Sequence, residues 1–242
     1  MGLLGGAFGW LFGKGRPRKV DTGGAPVRVD TADKAVDVID TGGININDIR
    51  KFKPDLLIVG LGNPGAKYDG TRHNVGFDVA DGFCAALGGV TEPGEYCEAM
   101  CRAAFCGSVR KPVLIAKPLT YMNLSGDAVG ALVKKYGLSG DRCLIIVDDF
   151  QIPLGKLRFR KDGSPGGHNG LKSISAAIGA GYLRLRVGIG PLPKGASVID
   201  FVLGGFEESE RGDVDKMVKA AAEAVAFMVD NGIDAAMNKY NG

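Results

Sequence analysis

Leu56-Leu57-Ile58-Val59-Gly60-Leu61-Gly62-Asn63-Pro64-Gly65 is the stretch on which the fold turns. An unbroken apolar run, Leu56 to Leu61, leading into a glycine-rich turn reads as a strand covered on both faces, the kind found in parallel sheets between helices. Residues 60 to 65 also spell GxGxxG, the dinucleotide-binding fingerprint. Three features oppose that reading. Pro64 has no N–H to offer a pyrophosphate, Ala66 to Gly70 does not begin the apolar helix that should follow, and no second strand ends in an acid at the required distance.

Outward from this strand, two more short apolar runs, Val113 to Lys117 and Cys143 to Val147, read the same way. Between them lie helical periodicities. Phe77 to Leu87 places Phe77, Ala80, Cys84 and Leu87 on one face with Gly88 at its end; Ser125 to Tyr136 has Ser125 as N-cap and Gly137 beyond. Leu171 to Ile178 is a third helix. Val214 to Asp230 is a fourth, with Met217, Ala221, Val225 and Met228 in register and Asn231-Gly232 as the stop. Ala104 to Val109, Arg110-Lys111-Pro112 and the following strand read as a hairpin. Alternating strands and helices with a hairpin predict a single α/β domain, residues 54–242, with a mixed central β-sheet flanked by α-helices. Residues 1–53 read as an extension. Its first nineteen residues have an apolar start, four basic residues and no acid, which suggests an organelle transit segment (chloroplast or mitochondrion), with a short surface-binding helix as the rival and the cytoplasm as the alternative location. Residues 20 to 53 read as linker.

The composition excludes several classes. A 242-residue chain with 45% hydrophobic and 24% charged residues buries a core and is not disordered throughout. No run of eighteen apolar residues occurs, so no membrane span is expected. Five cysteines, an odd number without a secretory signal, suggest a reducing compartment. The spacing of Cys97, Cys101 and Cys106 fits no common zinc pattern, and the two histidines are far apart in sequence, so neither a metal nor a cofactor is expected. Net charge is only +3, but its distribution is uneven. From Gln151 to Pro191, Lys156, Arg158, Arg160, Lys161, Lys172, Arg184 and Arg186 face Asp162 alone, whereas Asp200 to Asp234 is acidic. In Lys156 to Arg160, and again in Arg184 to Val187, cations alternate with apolar residues. Two strands presenting arginines outward would form a platform for phosphates; the plainer reading is wet surface.

Side chains just beyond the carboxyl ends of strands in an open α/β sheet meet in one crevice. Asn63, Tyr68 and His73 follow the first strand, Met122-Asn123 the second and Asp148-Asp149 the third. An acid beyond a buried strand can accept from His73 Nδ1–H, leaving Nε2 as a base for water. The alternative is that His73 and Asp148 are separately satisfied surface residues.

The strings GLGNPGAKYDGTRHNVGF, KPLTYMNLSG, VDDFQIPLGKLRFR, SPGGHNGLKSI, RLRVGIG and DFVLGGF, in this order from about Leu57 to the C-terminus, resemble the bacterial-type peptidyl-tRNA hydrolase family. The resemblance implies hydrolysis of the ester joining a peptide to the terminal ribose of tRNA, which returns tRNA from aborted translation. It implies His73 as general base, Asp148 as its orienting acid, and Asn63, Asn123 and Asn169 as groups that position the peptide and the attacked carbonyl. It implies Tyr68 stacking near the tRNA terminus, Met122 on the crevice wall, His168 as a structural or substrate-orienting residue, and Arg160 with Arg186 as the clamp for a tRNA phosphate. A monomer without cofactor or metal is the corresponding expectation. Gln151 departs from the family's usual Asp, one carboxylate fewer near the crevice. A relative on the same fold in plant organelles assists intron splicing, so a non-catalytic RNA-binding cofactor is the alternative function.

Overall fold

The computed structural model describes residues 51–87 and 93–242; the expected transit segment, most of the linker and the Gly88 helix stop lie outside them. Strand β1 (Leu56–Gly60) is bonded in parallel to β4 (Lys111–Pro118) on one side and to β5 (Cys143–Pro153) on the other. The sheet extends through β7 (Leu183–Gly190), parallel to β5, to the antiparallel edge strand β6 (Leu157–Arg160). On the other flank β3 (Ala99–Cys106) and β2 (Gly94–Tyr96) add antiparallel pairs, giving seven strands in the order β2-β3-β4-β1-β5-β7-β6. The mixed α/β sheet and the hairpin agree with the sequence reading.

Period-two alternation sorts the strand residues into two layers. Ile58, Leu144, Ile146, Leu185 and Phe159 face α1 (Val75–Leu87) and α5 (Arg211–Tyr240). Leu57, Val59, Ile145, Val147 and Leu114 face α2 (Ser125–Tyr136) and α3 (Asn169–Ile178). The fingerprint glycines have a packing role instead of a nucleotide one. A Cβ on Gly60 would lie 2.1 Å from Gly76 O, and one on Gly76 would lie 2.6 Å from Ile146 O, so the N-terminus of α1 rests directly on β1 and β5.

Several local expectations are corrected. Ser125 is the first residue of α2 rather than its cap, and its buried hydroxyl donates to Met122 O (2.8 Å), because the turn Met122–Leu124 runs straight into the helix. Asp148 and Asp149 lie within β5, not beyond it: Asp148 is in register with Val187 of β7, which prolongs the ladder past the apolar run. Asn231-Gly232 breaks α5, with Gly232 at φ 83°, but the chain resumes as helix to Tyr240. A short helix, α4 (Val198–Leu203), was not anticipated. Phe52, placed in the linker by the sequence reading, packs edge-on to Phe105 at 6.1 Å between centroids. None of the described helices is long and apolar enough to cross a membrane.

Candidate active site

The single 3-10 turn Arg72–Asn74, between β1 and α1, sends three consecutive side chains three ways. His73 Nδ1 meets Asp148 Oδ1 at 2.8 Å. Asn74 locks the turn to the end of β1: Asn63 N donates to Asn74 Oδ1 (2.8 Å), and Asn74 Nδ2 donates to Asn63 O (3.0 Å). Asn63 Oδ1 in turn accepts from Met122 N (2.8 Å), which turns its Nδ2 donor away from that contact. Asn63 is nearly buried, so this donor is held in place rather than free to rotate.

His168, the N-cap of α3, arrives from the far side. Its Nδ1 accepts from Leu171 N (3.4 Å) and its Nε2 meets the same Asp148 Oδ1 at 3.0 Å. The two imidazoles lie 4.9 Å apart. These partners assign the tautomers. His168 spends both ring nitrogens, Nε2 as donor. His73 spends only Nδ1, and among the described residues nothing occupies its Nε2. Burial disfavours the Asp148 carboxylate, but His168 foremost, then His73, outweighs it and holds the group well below the usual carboxylate range. The histidines separated in sequence are thus neighbours in space. His73, Asp148 and His168 offer ligand atoms within 4.8 Å of one another, a grouping that spacing along the chain does not reveal. The cysteines form no such group among the described residues.

Apart from the arginines, the remaining expected residues lie on the turns after β1 and before α2 and at the start of α3. Met122 is buried, its Sδ against Gly170, and forms part of the wall. Asn123, in the turn before α2, and Asn169, the first residue of α3, are both exposed. Tyr68 is half-buried, edge-on to Tyr121 at 6.3 Å, with Lys67 Nζ 4.9 Å from its ring centre. Tyr121 and Leu124, both well exposed, add an apolar rim that the sequence reading missed. Asn74 was missed as well. Its signal was its position beside His73, since a residue next to a base at a turn is placed to anchor it.

On the β6–β7 edge, Arg158 lies opposite Arg186 and Arg160 opposite Arg184, so all four arginines share one face of the sheet. Only part of that face is open to solvent. Arg184 is 2% exposed, contrary to the outward placement expected for it: its guanidinium donates to the carbonyls of Tyr182, Gly163 and Ala180 and lies 4.0 Å from the Tyr182 ring centre. β7 is an interior strand there, covered by Gly163 and by residues 180–182 that enter it, and alternation alone does not separate a covered face from an open one. Arg186 is partly exposed and held by Asp149, Nε to Oδ2 2.7 Å. Arg160 is half-buried, donating to its own strand at Phe159 O, while Arg158 and Gln151 are exposed.

The family model described as peptidyl-tRNA hydrolase matches residues 57–242. The chain belongs to the peptidyl-tRNA hydrolase family. A peptidyl-tRNA hydrolase of Fervidobacterium nodosum is 44% identical over 187 residues, covering 77% of this chain and 96% of the relative. One from Dehalococcoides mccartyi is 42% identical over 192 residues, covering 76% and 98%. The crystal structure of peptidyl-tRNA hydrolase from Acinetobacter baumannii superposes with a TM-score of 0.71 at 33% identity, over 79% of this chain and 96% of that one. These family members are bacterial, and they lend no support to the organelle address expected of residues 1–53.

Proposed function

We propose that His73, oriented by Asp148, is the general base with which the chain hydrolyses the ester of peptidyl-tRNA, the reaction of its family. The observation that carries this assignment is the 2.8 Å bond from His73 Nδ1 to a buried carboxylate that stays charged. It fixes the tautomer with a basic Nε2 and stabilises the imidazolium formed when a proton arrives. Water on Nε2 attacks the ester carbonyl and passes its proton to His73. The oxyanion accepts a hydrogen bond from Asn63 Nδ2, held ready by Met122 N. Collapse breaks the bond to the ribose oxygen, which takes the proton back from His73, so the products are a free carboxylic acid and a ribose hydroxyl. His168 has no nitrogen left for this work; it holds Asp148 and starts α3. Asn123 and Asn169 bind the peptide at the mouth, Tyr68 meets the terminal nucleotide, and Met122 lines the wall. Arg160 and Arg186 take a tRNA phosphate, Arg186 exchanging Asp149 for it. The reaction uses imidazole instead of a Lewis acid, and the chain works as a monomer.

The test is release of N-blocked amino acid from tRNA by the purified full chain. Multiple turnovers are expected. Retention of the RNA without release would favour the RNA-binding cofactor reading, for which no observation speaks otherwise.

A further inference from the structure

Beside the base lies Arg72, which the reaction does not use. Its side chain is 8% exposed, and burying a guanidinium is costly unless it is paired. Its surroundings come almost wholly from the segment after β7. Nη2 donates to Glu210 (2.6 Å) and Nη1 to Gly205 O. The guanidinium carbon lies 4.6 Å from the Phe201 ring centre and 4.8 Å from that of Phe206. The backbone repeats the connection, with Arg72 N donating to Gly204 O (2.9 Å) and Thr71 bridging Gly205. Val202 seats the strap in the core, but ahead of it residues 194–200 are exposed, and a cavity of about 530 Å³ opens between Pro191, Pro193, Asp200 and Arg72. Arg72 is therefore its principal fastening to the turn.

We infer that Arg72 is a positioning residue for His73: gripped between Phe201 and Phe206 and paired to Glu210, it fixes the side of the turn opposite Asn74 and so aims Nε2. The inference rests on the proposed role of His73 as base. Asn74 ties the turn to β1 and Arg72 ties it to the strap; with one tie lost, the turn pivots on the other. A displacement of ~1 Å at a reacting group can cost ~10²-fold in rate. A planar guanidinium is required, because an ammonium cannot fill the space between two rings while donating to two oxygens.

Arg72→Lys and Phe206→Leu in the full chain, with His73→Ala alongside, provide the test on N-blocked aminoacyl-tRNA. The two clamp variants should lose about tenfold in kcat with KM within twofold, and the low-field Nδ1–H proton resonance of His73 should broaden or shift. Phe206→Leu keeps the buried cation paired and carries the test if Arg72→Lys does not fold. Unchanged kcat and resonance in a folded clamp variant, or a loss confined to KM, would overturn the positioning role. If His73→Ala itself keeps turnover, the base assignment fails instead, so the two failures are told apart.

Discussion

Oδ1 of Asp148 accepts from both histidines of the chain, and they differ because His168 also accepts from Leu171 N at its other ring nitrogen. The same convergence means that a metal ion seated on the three groups would tie up His73 and Asp148, the proposed base and its orienting acid. Hydrolysis should persist in EDTA when a polyamine supports tRNA folding, and micromolar zinc should inhibit. Loss in EDTA restored only by zinc would contradict a metal-free mechanism. A second carboxylate behaves oppositely to Asp148. Asp78, in the first turn of α1, is pushed up to about 6, by burial first and by the charge of Asp81 second. A folded-state value above the unfolded one of ~3.9 means the native state binds more protons between these values. Stability therefore falls as pH rises from about 4 through about 6 and stays reduced above. Asp78→Asn should raise the urea midpoint at pH 7.5 and lose that advantage near pH 4. An equal gain at both pH values would show that the charge is not the cause.

Edge strands need cover, and β6 receives it from the end of α5. Asn241 Oδ1 accepts from Phe159 N (2.7 Å) and its Nδ2 donates to Phe159 O (3.1 Å), as a neighbouring strand would. Asn241→Ala should cost ~1 to 2 kcal/mol, the range for two net hydrogen bonds, and speed amide exchange at Phe159. Unchanged exchange would show that the amide contact is not holding the edge. Asn241 lies beyond the break at Gly232, and the Asn231-Gly232 pair there is why the helix was legible in sequence only to Asp230. The first half of α5 is pinned where Ser108 N donates to Asp230 Oδ1 (2.9 Å) and Lys111 Nζ to Val229 O (2.7 Å). No local signal encodes a helix resumed beyond such a pin. The central strands and four helices were legible because their apolar periodicity reports burial directly. Ser125 misled because a cap and a buried hydroxyl look alike in one dimension, and α4 was hidden because it is one short turn pair with an exposed Ile199.

Across the whole molecule, the His73–Asp148–His168 cluster sits at the carboxyl ends of the central strands and the arginine-bearing face lies at the β6–β7 edge. His73, Asp148 and Asn63 were legible as one crevice, because strand ends in such sheets converge. The state of the arginines was not, since the burial of Arg184 under Gly163 and the ion pair of Arg186 with Asp149 join residues far apart in sequence, which strand alternation does not report. Each phosphate contact displaces condensed counterions, so Arg160→Ala or Arg186→Ala should flatten the log-affinity versus log-salt slope by roughly 0.7 to 0.9. An unchanged slope would place the phosphate elsewhere. The proposed function assigns the chemistry to one crevice and the RNA to a separate edge, and single-turnover hydrolysis of N-blocked aminoacyl-tRNA over a range of enzyme concentrations tests this division most directly. His73→Ala should lower the saturating rate by ~10²- to 10⁴-fold with half-saturation nearly unchanged, while the Arg160→Ala, Arg186→Ala double variant should raise half-saturation and leave the saturating rate nearly intact. A His73→Ala rate within a few-fold of wild type, or a double variant that loses saturating rate instead of affinity, would contradict it.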